Sequence, residues 1–203
     1  MTIRVLIAED QAMVRGALSA LLTLEEDIEI VAEISRGDEV VPAALDSLPD
    51  VALLDIEMPG GDGLTAAAVL WKRLPSCRVI ILTTFGRPGY LRRAMEAGAV
   101  GYMVKDAPAE QLIEGIRRVH HGLRVVDPSL AAASLSIGAS PLTARETQVL
   151  AEAASGASTS TIAGRVFLSE GTVRNHLSAA IGKLGAATRA EAVRIATENG
   201  WLG

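Results

Sequence analysis

Val51-Ala-Leu-Leu-Asp-Ile-Glu-Met-Pro-Gly60 is a short apolar run that ends in a carboxylate and turns at once. The run has the length of a buried strand, and Pro59-Gly60 supplies a turn. Asp55 is therefore expected to protrude at the strand's carboxyl end. Working outward, Ile3-Arg-Val-Leu-Ile-Ala8 stops at Glu9 and Asp10, and Val100-Gly-Tyr-Met-Val104 stops at Lys105. A fourth run, Arg78-Val-Ile-Ile-Leu82, is closed by Thr83. In an open parallel sheet such strand ends face one crevice, where folds of this kind place their chemistry.

The first 121 residues alternate apolar runs with segments of helical period. Strands are predicted at 3–8, 28–33, 51–54, 78–83 and 100–104, and helices at 11–23, 37–46, 63–73, 88–97 and 108–121. Five βα units in series imply an α/β fold, a doubly wound five-stranded parallel sheet. Pro108 suits the start of the last helix. Pro42 fits only a first turn, which leaves the start at 37 open. Residues 122–140 read as a linker with one short helix begun at Asp127-Pro128. From 141 to 203 everything is helical. Thr143 with Glu146 forms a capping box, that helix ends around Gly156, and others cover 159–167, a stretch from Ser169, and 188–199. His120-His121 reads as a solvated helix end rather than a metal site, since adjacent side chains diverge and no third ligand is near.

At 203 residues, 49% of them apolar and 21% charged, the chain is globular. No apolar run approaches the roughly 18–20 residues of a membrane span, and the N-terminus lacks the layout of a signal peptide. The single cysteine, Cys77, cannot form an internal disulfide, which fits a cytoplasmic protein, and it is expected to pack as a small hydrophobe. The net charge of −5 is uneven: residues 1–139 hold 13 Lys/Arg against 19 Asp/Glu (−6), and residues 140–203 hold 6 against 5 (+1). A rear segment so weakly basic is not expected to bind nucleic acid strongly as a single copy, so any DNA-binding reading calls for two copies.

Phosphoryl transfer onto a carboxylate needs a divalent cation to offset charge. Mg2+ takes a few oxygen ligands, which Glu9, Asp10, Asp55 and the backbone carbonyl of Glu57 supply. Lys105 pairs with phosphoryl oxygens, and the Thr83 hydroxyl donates another hydrogen bond. Taken singly, each residue has a plainer reading: Glu9-Asp10 as a helix cap, Asp55 as a turn residue, Tyr102 as packing, Lys105 as a solvated charge. Their joint occurrence at strand ends favours the pocket. A haloacid-dehalogenase-type phosphatase is disfavoured, because Glu57 stands where its second aspartate belongs and no cap domain fits. No Gly-rich loop ending in Gly-Lys-Ser/Thr is present, so the chain is not an ATP-using kinase.

Glu9-Asp10, Asp55 with Met58-Pro59-Gly60, Thr83, and Gly101-Tyr102-Met-Val-Lys105-Asp106 together resemble the receiver domain of two-component response regulators, a CheY-like fold, across residues 1–121. The resemblance implies that Asp55 accepts phosphate from a sensor histidine kinase and that Thr83 and Tyr102 form a switch pair, Tyr102 turning inward on phosphorylation. Thr84, where alanine or glycine is usual, and Glu57 depart from the pattern and bear on the lifetime of the phosphoryl group.

Ser169-Glu-Gly-Thr-Val-Arg-Asn-His-Leu-Ser-Ala-Ala-Ile-Gly-Lys-Leu184 carries an apolar stripe, Val173, Leu177, Ile181 and Leu184. Arg174, Asn175 and Ser178 fall away from it. Arg and Asn offer paired hydrogen bonds to guanine and adenine edges, and Ser169, Thr172 and Lys183 suit phosphates. With Leu142-Thr-Ala-Arg-Glu146, Ile162-Ala163 and Arg189-x-Glu-Ala192, this segment resembles the LuxR-type helix-turn-helix over 141–203. Thr161 and Ser160 are mild departures. A protein-binding helical module is the plainer alternative. The resemblance implies that the last helix, with Val193, makes a dimer contact on DNA bearing two half-sites.

The whole chain thus resembles response regulators of the NarL/FixJ class, not enzymes beyond their own phosphoryl transfer and slow autodephosphorylation. Phosphorylation is expected to drive a homodimer that binds its operator. The first and fifth helices (Val14, Leu18, Leu21, Leu22; Ile113, Ile116, Val119) are the expected receiver dimer face, with 84–102 second. A narrower resemblance, of Thr83-Thr-Phe-Gly-Arg-Pro-Gly-Tyr90 to the DesR type linked to membrane-lipid desaturation, implies a membrane kinase as donor, with no membrane insertion by this chain. The competing reading is an orphan regulator that dimerises constitutively and ignores phosphate.

Overall fold

The computed structural model describes residues 2–84, 88–128, 130–131 and 140–202, and it divides into two compact units. The first runs to Ala131 apart from 87–90, and the second takes the remainder. Parts of the expected linker (129 and 132–139) and of the Thr83–Tyr90 stretch (85–87) lie outside the described residues.

Up to Val126 the chain runs β1 (Ile3–Ala8), α1 (Ala12–Leu22), β2 (Ile28–Ile34), α2 (Gly37–Ser47), β3 (Val51–Asp55), α3 (Gly63–Arg73), β4 (Arg78–Thr83), α4 (Pro88–Glu96), β5 (Gly101–Val104), α5 (Ala109–His120) and β6 (Val125–Val126), all in the first unit but for the first turn of α4. All strands are parallel, in the order β2-β1-β3-β4-β5-β6. Each residue of β3 is buried, as a strand covered on both faces must be. Strand alternation sends Val5, Ile7, Leu53 and Ile80 to one face, where they pack with Leu22 of α1 and Ile116 and Val119 of α5. Val40 and Ala44 of α2 and Ala67 and Leu70 of α3 are all at 0% exposure. Full burial of Val40 or Leu70 stabilises the fold by roughly 2 kcal/mol, and of either alanine by less than half that.

Register aligns the strand ends that carry the chemistry. Ala8 lies opposite Leu54, Asp55 opposite Leu82, and Thr83 opposite Val104. Glu9, Asp55, Thr83 and Lys105 therefore emerge along one edge of the sheet.

Two expectations change. The sheet has six strands, not five, because Val125–Val126 pairs with Gly101 and Tyr102 of β5. Two residues show no period, so nothing local distinguished them from linker. Gly115 of α5 leaves space for Met103 of β5, since a Cβ there would lie 2.9 Å from the Met103 sulfur, while Val125 of β6 at 3.7 Å would be in ordinary contact. Pro42 sits in the interior of α2 rather than its first turn. The proline removes one intrahelical bond, and the complete burial of Val40 and Ala44 on either side of it holds the helix together.

The second unit contains α6 (Ala144–Ala154), α7 (Thr159–Val166), α8 (Glu170–Lys183) and α9 (Arg189–Glu198). A hydroxyl side chain caps the start of each: Thr143, Ser158, Ser169 and Thr188 accept from the backbone N–H three residues on. Thr143 and Glu146 complete the expected capping box. Their core gathers Val149, Leu150, Ile162, Val166, Val173, Leu177, Ala192 and Ala196. Among the described residues no helix is long and apolar enough to cross a membrane.

Candidate functional site

At the carboxyl edge of the sheet, Lys105 Nζ lies 2.6 Å from Glu9 Oε2 and 2.8 Å from Asp55 Oδ2, with all three side chains less than a tenth exposed. Asp55 does not protrude as expected. Its Oδ1 accepts from the Ile56 N–H at 2.7 Å while Oδ2 faces Lys105. A carboxylate at 6% exposure needs such partners to remain charged. Glu9 is steadied by the Gln11 N–H at 3.2 Å, and its carbonyl accepts from Arg15 Nη1. The arginine is a brace that no sequence pattern signalled.

Burial pushes the Glu9 carboxyl above its ordinary range, with the Lys105 hydrogen bond opposing and the charge of Asp55 adding to the rise. For Lys105, burial works against the charge, but hydrogen bonds to Asp55 and Glu9 outweigh it and raise its pKa. A charged lysine between two carboxylates offsets one of their two negative charges, which agrees with the rise at Glu9. Carboxylate oxygens of Glu9, Asp10 and Asp55 all lie within 4.8 Å of one another. Asp10 is exposed while the other two are buried, so the cluster opens to solvent on one side. Close, hard oxygen donors with an open side fit Mg2+, which keeps several waters. Glu57 is exposed, so its side chain takes no part in this buried cluster.

The turn after β3 is anchored by backbone. Gly37 N–H donates to Pro59 O at 2.9 Å, and Gly63 N–H donates to Ile56 O at 3.0 Å. A Cβ on Gly37 would strike the Gly61 carbonyl, and one on Gly63 would strike the carbonyl of Asp55 itself. Thr83 is buried, and its carbonyl accepts from the Lys105 N–H at 2.8 Å. Tyr102, the other member of the expected switch pair, is fully buried.

The expected receiver dimer face is largely absent from the surface. Leu22, Ile116 and Val119 are fully buried and Ile113 is 9% exposed, all packed in the sheet's core. The apolar stripe on α5 is taken up by the sheet, with β6 packed beside it. Val14, Leu18 and Leu21 are half-buried and, with the 87% exposed Met13, line an apolar groove of about 350 Å3 that reaches Leu112 and Lys105.

In the second unit, Val173 and Leu177 of α8 are buried, and Ile181 and Leu184 pack more loosely on the same core. Arg174, Asn175 and Ser178 are exposed together on the opposite face. Arg174 makes only a loose 3.5 Å pair with Glu170. The Ser169 hydroxyl is engaged in capping: it accepts from Thr172 N–H at 3.1 Å and lies 2.8 Å from the Thr172 hydroxyl. Lys183, expected at a phosphate, instead binds Glu146 Oε2 at 2.7 Å. It stands in the last turn of α8, where it ties that helix to α6. Val193 is half-buried against the domain's own core.

A parallel sheet with an acidic carboxyl edge and a paired lysine, joined to a hydroxyl-capped helical domain with an Arg/Asn face, defines a receiver with a DNA-binding output. Residues 5–117 match the response regulator receiver domain, and residues 140–196 match the bacterial regulatory proteins of the luxR family. The chain belongs to these families: it is a two-component response regulator with a LuxR-type DNA-binding domain. It is 46% identical over 98% of its length to all of YvfU, an uncharacterized transcriptional regulatory protein of Bacillus subtilis. It is 45% identical, over 98% of this chain and 99% of the relative, to the transcriptional regulatory protein DesR of the same organism. Among solved structures it resembles the response regulator ChrA of a heme-sensing two-component system, with 35% identity, 97% of each chain covered and a TM-score of 0.59. The fold alone is shared with RcsB in its DNA complex, at 22% identity over 98% of this chain and 99% of RcsB, with a TM-score of 0.70.

Proposed function

We propose that this response regulator receives a phosphoryl group on Asp55 from a sensor histidine kinase, and that phosphorylation promotes a homodimer that binds an operator of two half-sites. The observation that carries this reading is the convergence of Glu9, Asp10 and Asp55 within 4.8 Å, with Lys105 paired to Asp55. In the transfer, an Asp55 carboxylate oxygen attacks phosphorus. The bond from phosphorus to the kinase's imidazole nitrogen breaks, a phosphorus–oxygen bond forms, and the released imidazole takes a proton from solvent. Lys105 positions Asp55 beforehand and then faces the phosphoryl oxygens, and the Thr83 hydroxyl donates to one of them. Glu9, Asp10, Asp55 and the Glu57 carbonyl would hold Mg2+, which when bound offsets charge on the transferring group.

Phosphorylation acts by shifting the receiver's conformational equilibrium toward the form that dimerises, with Thr83 and Tyr102 as the switch pair. The domains are assigned as a receiver over 1–121 and a DNA-binding module over 141–203, with 122–140 between them. Arg174, Asn175 and Ser178 meet base edges, and Ser169 and Thr172 sit at the phosphates. The apolar groove beside Met13, Val14, Leu18 and Leu21 is the receiver's dimer face. Val193 and α9 contribute on DNA. The protein works in the cytoplasm, where operator and phosphodonor meet, and its only catalysis is its own phosphoryl transfer and slow hydrolysis.

Light scattering of the full chain with Mg2+, with and without beryllofluoride, tests this reading. A monomer that dimerises only with beryllofluoride, and not in Asp55→Ala, is the expected result. A dimer in every sample would instead support a constitutive regulator. No response and no Mg2+ affinity would overturn the acidic pocket as a phosphoacceptor.

A further inference from the structure

The most exposed large apolar side chain among the described residues is Phe167, at 92%. It lies in the turn between α7 and α8, two residues ahead of Ser169, the cap of α8. Its backbone is left-handed, with φ 54° and ψ 48°. The cause is local. To close α7, both the Phe167 and the Leu168 N–H groups donate to the Ala163 carbonyl, Leu168 then packing on the domain core. The geometry requires positive φ at position 167 and turns its side chain outward.

Glycine adopts that conformation without cost, and this chain uses glycine for it elsewhere. In the same domain, α6, α8 and α9 are followed by Gly156 (φ 75°), Gly185 (φ 62°) and Gly200 (φ 65°). Only α7, the first helix of the helix-turn-helix pair, closes on a bulky aromatic residue. Phe167 therefore combines a strained backbone with a ring that finds no apolar neighbour in its own domain. The backbone conformation opposes stability, and a ring left in solvent contributes no burial to offset it.

Position supplies the compensating contact. In helix-turn-helix docking the second helix enters the major groove by its N-terminal residues while the first crosses the backbone. The turn between them then faces the groove's edge, where the accessible apolar surface is thymine methyl and deoxyribose carbon. We propose that Phe167 is a DNA-contacting residue whose ring packs on that surface beside the bases met by Arg174 and Asn175. The proposal rests on the DNA-binding reading above. It adds a contact of a different kind, apolar and insensitive to salt.

The test uses the full chain with Mg2+ and beryllofluoride and a duplex enriched from a random-sequence pool by the wild-type protein. Phe167→Ala is expected to weaken binding by about tenfold or more, the loss of one aromatic contact. Phe167→Leu should retain most of the affinity. The slope of log affinity against log salt should be unchanged, because no phosphate contact is removed. Phe167→Gly should bind as weakly as the alanine variant yet melt a few degrees higher, which separates a lost contact from a damaged fold. Replacing thymines one at a time by deoxyuridine locates the partner: a methyl if one replacement reproduces the loss, a sugar face if none does. Alanine and glycine variants within twofold of wild type overturn the contact. So does a gain of DNA binding without beryllofluoride, which would put the ring against protein. A wild-type chain that enriches no duplex overturns the DNA-binding reading and this contact with it.

Discussion

Lys105 is held equally by two acids from different strands: its Nζ lies 2.6 Å from Glu9 and 2.8 Å from Asp55, with little solvent around any of them. The amine occupies the middle of the pocket and offsets one of the two negative charges that flank it.

Removing that amine leaves two close, buried acids unpaired. Lys105→Ala is expected to destabilise the receiver by about 3 kcal/mol. Millimolar Mg2+ should recover part of the loss, because a cation bound to the same carboxylates replaces the missing charge. Urea unfolding with and without Mg2+ measures both. An equal loss in the two conditions would mean that the carboxylates do not take the ion.

The turn that follows Asp55 leaves no room beside Gly37, where an added Cβ meets the Gly61 carbonyl. Gly37→Ala is expected to shift the Met58–Gly61 turn and weaken the response to beryllofluoride at least tenfold, with a smaller loss of melting temperature. A variant that melts lower but responds at wild-type concentrations would confine Gly37 to stability.

Met13 is 87% exposed beside the groove lined by Val14 and Leu18. Met13→Glu is expected to leave the melting temperature within a degree or two, since surface changes cost little. It should raise the dimer dissociation constant of the beryllofluoride form by tenfold or more. Analytical ultracentrifugation reads this directly, and an unchanged constant would move the dimer face elsewhere, to 84–102 first.

Glu146 joins the capping box to Lys183. The Lys183 hydrogen bond first, and the Thr143 N–H second, hold its carboxyl below the ordinary 4.5. A depressed folded pKa means that this contribution is present above pH 4.5 and is lost as pH falls through the folded value. Glu146→Gln should therefore be less stable than wild type near neutrality, by about 1 kcal/mol. The gap should narrow below pH 4.5. Circular dichroism melts of the two chains across pH 3–7 test the trend, and a constant gap would refute it.

Burial, with the charge of Asp50, pushes the Cys77 thiol up to about 12. At pH 8 it should resist a disulfide reagent in the native state and react only when urea unfolds the sheet. Rapid modification of native protein would contradict this burial.

Much of the site was legible because strand ends are local events. The turn residues after Leu54 and the acids after Ala8 mark where each strand stops, and parallel strands bring their carboxyl ends to one edge. The capping box of Thr143 and Glu146 announces a helix start for a similar reason, since a cap bonds within three residues of itself. The apolar stripe of α5 was legible as a stripe but not as a destination. Periodicity shows that Ile113, Ile116 and Val119 share a face, and only the sheet packed against them shows that this face is interior.

What the sequence determined alone, then, is what depends on neighbours along the chain: the strands and helices, their caps, the acids and lysine at strand ends, and the Arg/Asn face of α8. What the tertiary structure decided depends on residues far apart. Val125–Val126 becomes a strand only beside β5. Lys183 meets an acid 37 positions away rather than solvent. Asp55 is drawn into a buried pair instead of protruding. Phe167 is turned outward because Leu168 must turn in. In each case the free energy comes from burial and pairing between elements, and a linear pattern carries no record of which elements will meet.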